Sequence, residues 1–227
     1  MEFTNLATES AEYRAARESL RQAEVDLMEH REKVAEMRRA LPTGPVVPDY
    51  EFVECTLPGP PHAGTERTVH LSDLFTAPGR PLIVYHYMFG KQQTSPCPMC
   101  TMWIDGFDGI AHHVTQNADF VIVAAADVDP LRAFALERGW STVRLLSAGA
   151  STFKYDFGSE DSEGVQDSRV SVFMQDADGV VRHSYTSSPH MSADLEQRGI
   201  DLLCPTWHLL DLTPVGRGDW YASLTYG

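Results

Sequence analysis

Between Arg80 and Ala148 the chain alternates short, continuously apolar runs with longer amphipathic ones: "RPLIVYHYMF", "PMCTMWIDGFDGIAHHV", "ADFVIVAAAD", "DPLRAFALERGW", "VRLLSA". A strand that is apolar at nearly every position has to be buried on both faces, and parallel neighbours require a helical crossover between them. The pattern predicts an α/β fold whose central sheet is covered by helices on both faces. "RVSVFMQDADGVVRHSYT" then reads as a hairpin turning at Asp176–Gly179, which adds antiparallel strands at one edge and makes the sheet mixed. Upstream, "YEFVECTL" reads as a strand, "PGPPHAG" as a loop and "RTVHLSDLF" as a strand entering a short helix. Downstream, "SADLEQRGIDLLCPTWHLLDL" reads as a closing helix broken near Pro205.

Ahead of this pattern, Tyr13, Ala16, Leu20, Ala23, Leu27, His30, Val34, Met37 and Leu41 alternate three and four apart, a heptad rhythm that predicts one long amphipathic helix. Its seam either packs on its own domain or pairs with a second copy in a homodimer. "LPTGPVVP" ends the helix and serves as a linker, since proline lacks the N–H and keeps the preceding residue out of the α region. The expected division is residues 1–48, helix and linker, and residues 49–227, the α/β domain.

Thirty-two acidic against eighteen basic residues give a formal charge of −14 with no Lys/Arg stripe, a field that repels nucleic acid and anionic membranes. The acidic N-terminus has no basic start and no apolar h-region, and the longest apolar runs fall far short of the ~20 residues of a membrane span. A soluble cytoplasmic protein is expected. In that reducing compartment a close cysteine pair is a catalytic or metal-binding feature before it is a staple.

Cys97 and Cys100 form that pair, at the junction of the strand "LIVYHYMF" with the helix that follows. With Pro98 at the first helical position, Cys97 falls at the N-cap, where unpaired backbone N–H groups and the helix dipole stabilise a thiolate. Cys97 is the expected attacking thiol. Cys100, Trp103, Ile104, Phe107, Ala111 and Val114 share one stripe of the helix, so Cys100 faces the core as a resolving thiol. The pair also admits two other readings: a zinc or Cu(I) carrier site with His86 as third ligand, and incidental thiols in a non-catalytic scaffold. Against zinc, the sequence offers no second CxxC and no paired histidines at ligand spacing, and His112 and His113 fall on the solvent face. The redox reading calls for no cofactor.

The strings "RRALP", "VYHYMFG", "CPMCTMWIDGFDG", "KYDFG" and "LLDLTPVGRG", in order from about His30 to Gly218, resemble a thioredoxin-like family known as domain of unknown function 899. The resemblance implies a thioredoxin-like fold with a helical N-terminal extension and the CxxC at the start of its main helix. It implies no reaction. Thioredoxin-type disulfide reductases carry a cis-proline before the strand facing the CxxC, where this chain has Ser168 and Arg169. Peroxiredoxins resemble it better there: Thr94-x-x-Cys97 matches half of their P-x-x-x-T-x-x-C loop, with Gly90 at the proline position, and Arg169 opens the later hairpin. That likeness implies Thr94 and Arg169 as hydrogen-bond donors to a peroxide beside the Cys97 thiolate, and a sulfenic acid at Cys97 that Cys100 converts to a disulfide. The expected partners are a small peroxide, thiol or disulfide and an unnamed electron donor.

Cys55 and Cys204 read as packing cysteines, and "YDFGSEDSEGVQD" as a mobile, solvated loop long enough to cover the cysteines. Tyr85, Tyr87, Phe89, Trp103 and Phe107 supply aromatic surface around the pair, and the aromatic tail "GDWYASLTYG" is expected to dock.

Overall fold

A computed structural model describes residues 8–56, 66–195 and 198–226. The expected loop "PGPPHAG" lies outside the described residues. The chain falls into two units, Met1–Pro42 and Thr43–Gly227.

The first unit is dominated by helix α1, Ala11–Arg39, opened by Ser10, whose Oγ accepts from the Tyr13 N–H at 3.1 Å. Arg38 and Arg39 close it at the negative end of the dipole. No residue of α1 is buried, and its heptad side chains Tyr13, Leu20, Leu27 and Met37 are exposed.

The second unit contains strands β1 (Glu51–Cys55), β2 (Arg67–His70) and β3 (Leu82–Tyr87), helix α2 (Pro98–Val114), β4 (Asp119–Ala124), α3 (Val128–Arg138) and β5 (Arg144–Ser147). The short helix α4 (Phe153–Asp156), strands β6 (Arg169–Gln175) and β7 (Val181–Ser187) and helix α5 (Pro205–Asp211) follow. The sheet runs β2-β1-β5-β4-β3-β6-β7. β5, β4 and β3 are parallel, and β6 and β7 continue the sheet antiparallel. Parallel strands joined through α2 and α3, a late antiparallel hairpin and a CxxC at the β3–α2 junction make this a thioredoxin-like fold.

Alternation along β3 separates two cores. Ile83, Tyr85 and Tyr87 face a cluster with Cys100, Trp103, Ile104 and Phe107 of α2 and Leu131 of α3. Leu82 and Val84 face Phe52, Leu71, Leu74, Phe153 and Phe173 on the other side. This period of two decides which side chains can reach the cysteines.

Two expectations need correction. Among the described residues the closing helix starts only at Pro205, preceded by turns and a short 3-10 segment at Asp201–Leu203. Gly199 passes so close to the Ser188 carbonyl that an added Cβ would lie 1.9 Å from its oxygen, and Ile200 is buried in the α2-side core. These tertiary contacts override the local helical pattern. The "YDFGSEDSEGVQD" stretch, expected to be mobile and solvated, is exposed over residues 161–165 as expected, but it is an ordered turn with buried ends: Asp161 Oδ1 accepts from the Glu163 and Val165 N–H groups, Glu160 pairs with Gln166, and Ser159 and Gln166 are buried. Among the described residues no helix is long and apolar enough to cross a membrane.

Candidate active site

Cys97 is the N-cap of α2, with extended backbone angles and Pro98 in the first turn. Its N–H donates to the Met88 carbonyl at 3.0 Å, and its carbonyl accepts from the Thr101 N–H and Oγ1, both at 3.0 Å. Thr101 Oγ1 also meets the hydroxyl of Tyr87 at 2.8 Å, so the first turn of the helix is locked to the end of β3. The backbone of Cys97 is therefore fixed in place.

All four cysteines carry free thiols. The Cys100 thiol donates to the sulfur of Cys97, and this bond is the largest influence bringing the Cys97 pKa down to about 6. Partial burial works against it. The N–H groups of Cys100 and Met99 and the hydroxyl of Tyr221 add to the lowering. Cys100 is the opposite case: only 3% exposed, it is pushed well up, first by burial and then by the hydrogen bond it donates to Cys97. The Tyr85 hydroxyl and the Met88 N–H lie against its sulfur and favour its thiolate. One sulfur is an anion near neutral pH and its neighbour holds the proton.

Cys97 opens on a cavity of about 120 Å³. Its apolar wall is Tyr85, Met88, Met99, Trp103, Pro189 and Tyr221, and its polar side is Asp167, Ser168 and His190. Tyr221 comes from the C-terminal tail, which touches the domain at a few points while Trp220, Tyr221 and Tyr226 stay half-exposed or more: Trp220 meets Trp207 edge-on at 5.6 Å, and Arg138 holds the Leu224 carbonyl at 3.0 Å and the Tyr226 hydroxyl. Of the aromatic residues named from sequence, Tyr85 and Trp103 line the cavity, while Tyr87, Phe89 and Phe107 belong to the core.

The other sequence-derived candidates fall elsewhere. Thr94 is an exposed loop residue three positions before Cys97 and is not among the cavity-lining residues. Arg169 pairs across the sheet with His86, so it lies on the face away from Cys100. Its Nε donates to the Gly158 carbonyl at 2.7 Å and its Nη2 meets Asp167 at 3.2 Å. Ser168, beside it, supplies the cavity wall. His86 is fully buried with both ring nitrogens engaged, by Ser159 Oγ at 2.8 Å and Ser171 Oγ at 3.0 Å, and its ring stacks on Phe153. Burial, with Lys154 beside it, holds its pKa well below the usual histidine range. Among the described residues no group of three His, Cys, Asp or Glu side chains is placed to hold a metal ion. Cys55 and Cys204 are buried packing residues.

Features that escaped the sequence reading include Tyr221, Asp167 and His190 at the rim, and Lys154, a fully buried lysine of α4 whose Nζ donates to the Tyr87 carbonyl at 2.6 Å. Only the tail's aromatic content hinted at the first.

A family model described as "Bacterial protein of unknown function (DUF899)" matches residues 3–225. No curated protein matches the chain. Solved structures similar to it include Mycobacterium tuberculosis AhpC, at 15% identity and a TM-score of 0.48 over 80% of this chain and 99% of that one. The peroxidoxin BcpB of the same organism is similar at 23% identity and a TM-score of 0.46, over 67% and 88% of the two chains. A peroxiredoxin-like protein from Aquifex aeolicus is similar at 16% identity and a TM-score of 0.44, over 65% and 76%.

Proposed function

The chain belongs to the bacterial DUF899 family, and on the geometry of its cysteine site we propose that it is a thiol-dependent oxidoreductase reducing small peroxides or small disulfides. One observation carries the reading: Cys97 caps α2 at the mouth of a small cavity, with the Cys100 thiol, two backbone N–H groups and the Tyr221 hydroxyl placed to stabilise its thiolate. The cavity's about 120 Å³ falls somewhat below the ~150 Å³ that encloses a benzene ring, which favours a substrate of few heavy atoms over a protein disulfide.

With a peroxide, the Cys97 thiolate attacks the terminal oxygen, the O–O bond breaks, and the alcohol or water leaves with a proton. Cys97 is then a sulfenic acid. Cys100 attacks its sulfur, the S–O bond breaks, and hydroxide leaves as water with the proton from Cys100. A dithiol reductant of the cytoplasm returns the disulfide to two thiols and is itself oxidised to a disulfide. With a small disulfide, Cys97 displaces one thiolate and Cys100 releases the other. Asp167, held by Arg169 and 3.5 Å from His190 Nε2, makes the rim the polar side on which the leaving group departs. We give Thr94 no part. The exposed heptad side chains of α1 support a homodimer, which sedimentation would reveal.

Single-turnover oxidation by hydrogen peroxide and by a small disulfide, followed by mass spectrometry, tests the proposal. A Cys97–Cys100 disulfide should form in the wild type, none in Cys97→Ser, and a persistent sulfenic acid in Cys100→Ser treated with peroxide. Unmodified cysteines after both oxidants would sink it.

A further inference from the structure

Lys154 is a buried charge that the chemistry above leaves unused. It has no exposed surface and lies in α4 beside Phe153, which packs on the His86 face of the sheet. A buried ammonium persists where neighbouring groups answer its charge. The groups whose fields act to keep it charged are Cys100 first, then Glu160 and Asp167, and His86 is its basic neighbour.

The link to Cys100 passes through a single peptide group. Lys154 Nζ donates to the carbonyl oxygen of Tyr87, and the N–H of that same peptide, belonging to Met88, lies against the sulfur of Cys100. A cation on an amide oxygen draws electron density from the nitrogen and makes the N–H a stronger donor, an effect magnified by low local dielectric. The other titratable groups around Cys100 are Cys97, Tyr85, Tyr87 and Tyr221, and none of them brings positive charge.

We propose that Lys154 is a positioning residue for the resolving thiol: through the Tyr87–Met88 peptide its ammonium stabilises the Cys100 thiolate that attacks oxidised Cys97. The catalytic consequence rests on the oxidoreductase reading, whereas the stabilised thiolate is a property of the reduced protein. In the step concerned Cys100 loses its proton, its sulfur bonds to the sulfur of Cys97, and the S–O bond breaks to release water. Lys154 keeps its own proton throughout. Its pKa, lowered by burial to about 8, leaves it charged at neutral pH.

Lys154→Met removes the charge at similar length, and Lys154→Gln removes it while retaining a hydrogen-bond donor. Circular dichroism identifies the folded variants. In a Cys97→Ser background, Cys100 alkylation is followed against pH, peptide by peptide. Its profile should move up by about one pH unit or more in either variant. In chains with Cys97 intact, stopped-flow oxidation by hydrogen peroxide should keep its bimolecular phase within about twofold, while the unimolecular disulfide step slows about tenfold at neutral pH. An unmoved Cys100 profile in a folded variant overturns the assignment of Lys154. A moved profile with no reaction of Cys97 toward peroxide or disulfide leaves that assignment standing and overturns the oxidoreductase reading.

Discussion

Tyr221 is the residue that most changes the picture of the site. Its hydroxyl is one of four donors acting on the Cys97 sulfur, and it arrives from a tail 124 positions downstream. A hydrogen bond to a charged group contributes about 1.5–3 kcal/mol, shared here with the other donors. Tyr221→Phe should raise the pH midpoint of Cys97 alkylation by up to about one unit from its wild-type value near 6. The variant should react more slowly at pH 6 and equally above pH 9, where both thiols are ionised. The N-cap position of Cys97 was legible because Pro98 and the buried stripe through Cys100 fix where the helix begins. The place of Arg169 was not legible, because which face of β6 it occupies depends on its register with β3, and a string match carries no register. Lys154 was equally hidden, since nothing in "KYDFG" distinguishes a buried lysine from a solvated one.

At the scale of elements, the segment between α4 and β6 brings Asp167 and Ser168 to the polar side of the cavity. Gly158 has a φ of +67°, and a Cβ there would lie 3.4 Å from the Arg169 guanidinium. Gly158→Ala should cost about 1 kcal/mol in urea unfolding. It should also loosen Arg169 from the Gly158 carbonyl, and with it Asp167. Sequence placed β3, α2, β4, α3, β5 and the β6–β7 hairpin because short, continuously apolar runs alternate with longer amphipathic ones between turn residues. It failed where tertiary contacts set the conformation. The approach of Gly199 to Ser188 interrupts a helical pattern, and the Asp161 turn orders an exposed run that composition alone reads as a mobile loop.

For the molecule as a whole, the buried titratable groups dictate how stability follows pH. His86 and Cys97 have folded pKa values below their unfolded ones, so the unfolded chain binds more protons in the acid and neutral range. Their contribution to stability is lost as pH falls: Cys97 through about 6, His86 below the usual histidine range. Lys154, also lowered, opposes folding while charged, and that penalty is relieved as pH rises from about 8 toward the ordinary lysine value. Cys100, Tyr85 and Tyr87 are shifted up, so above about pH 9 the unfolded chain loses their protons first and stability declines. Urea titrations at fixed pH should therefore give a midpoint that climbs from pH 5 to about 9 and then drops. A profile peaking near pH 6 would contradict the buried ionisation described above.

The two cysteines share one turn of a helix whose first carbonyl is pinned by Thr101. On the proposed chemistry, a freshly oxidised Cys97 meets its captor without any strand or helix having to unwind. Its lifetime is then too short for a second oxidant molecule to carry it on to the irreversible sulfinic acid. The wild-type protein should keep turning over at oxidant concentrations that permanently inactivate the Cys100→Ser variant.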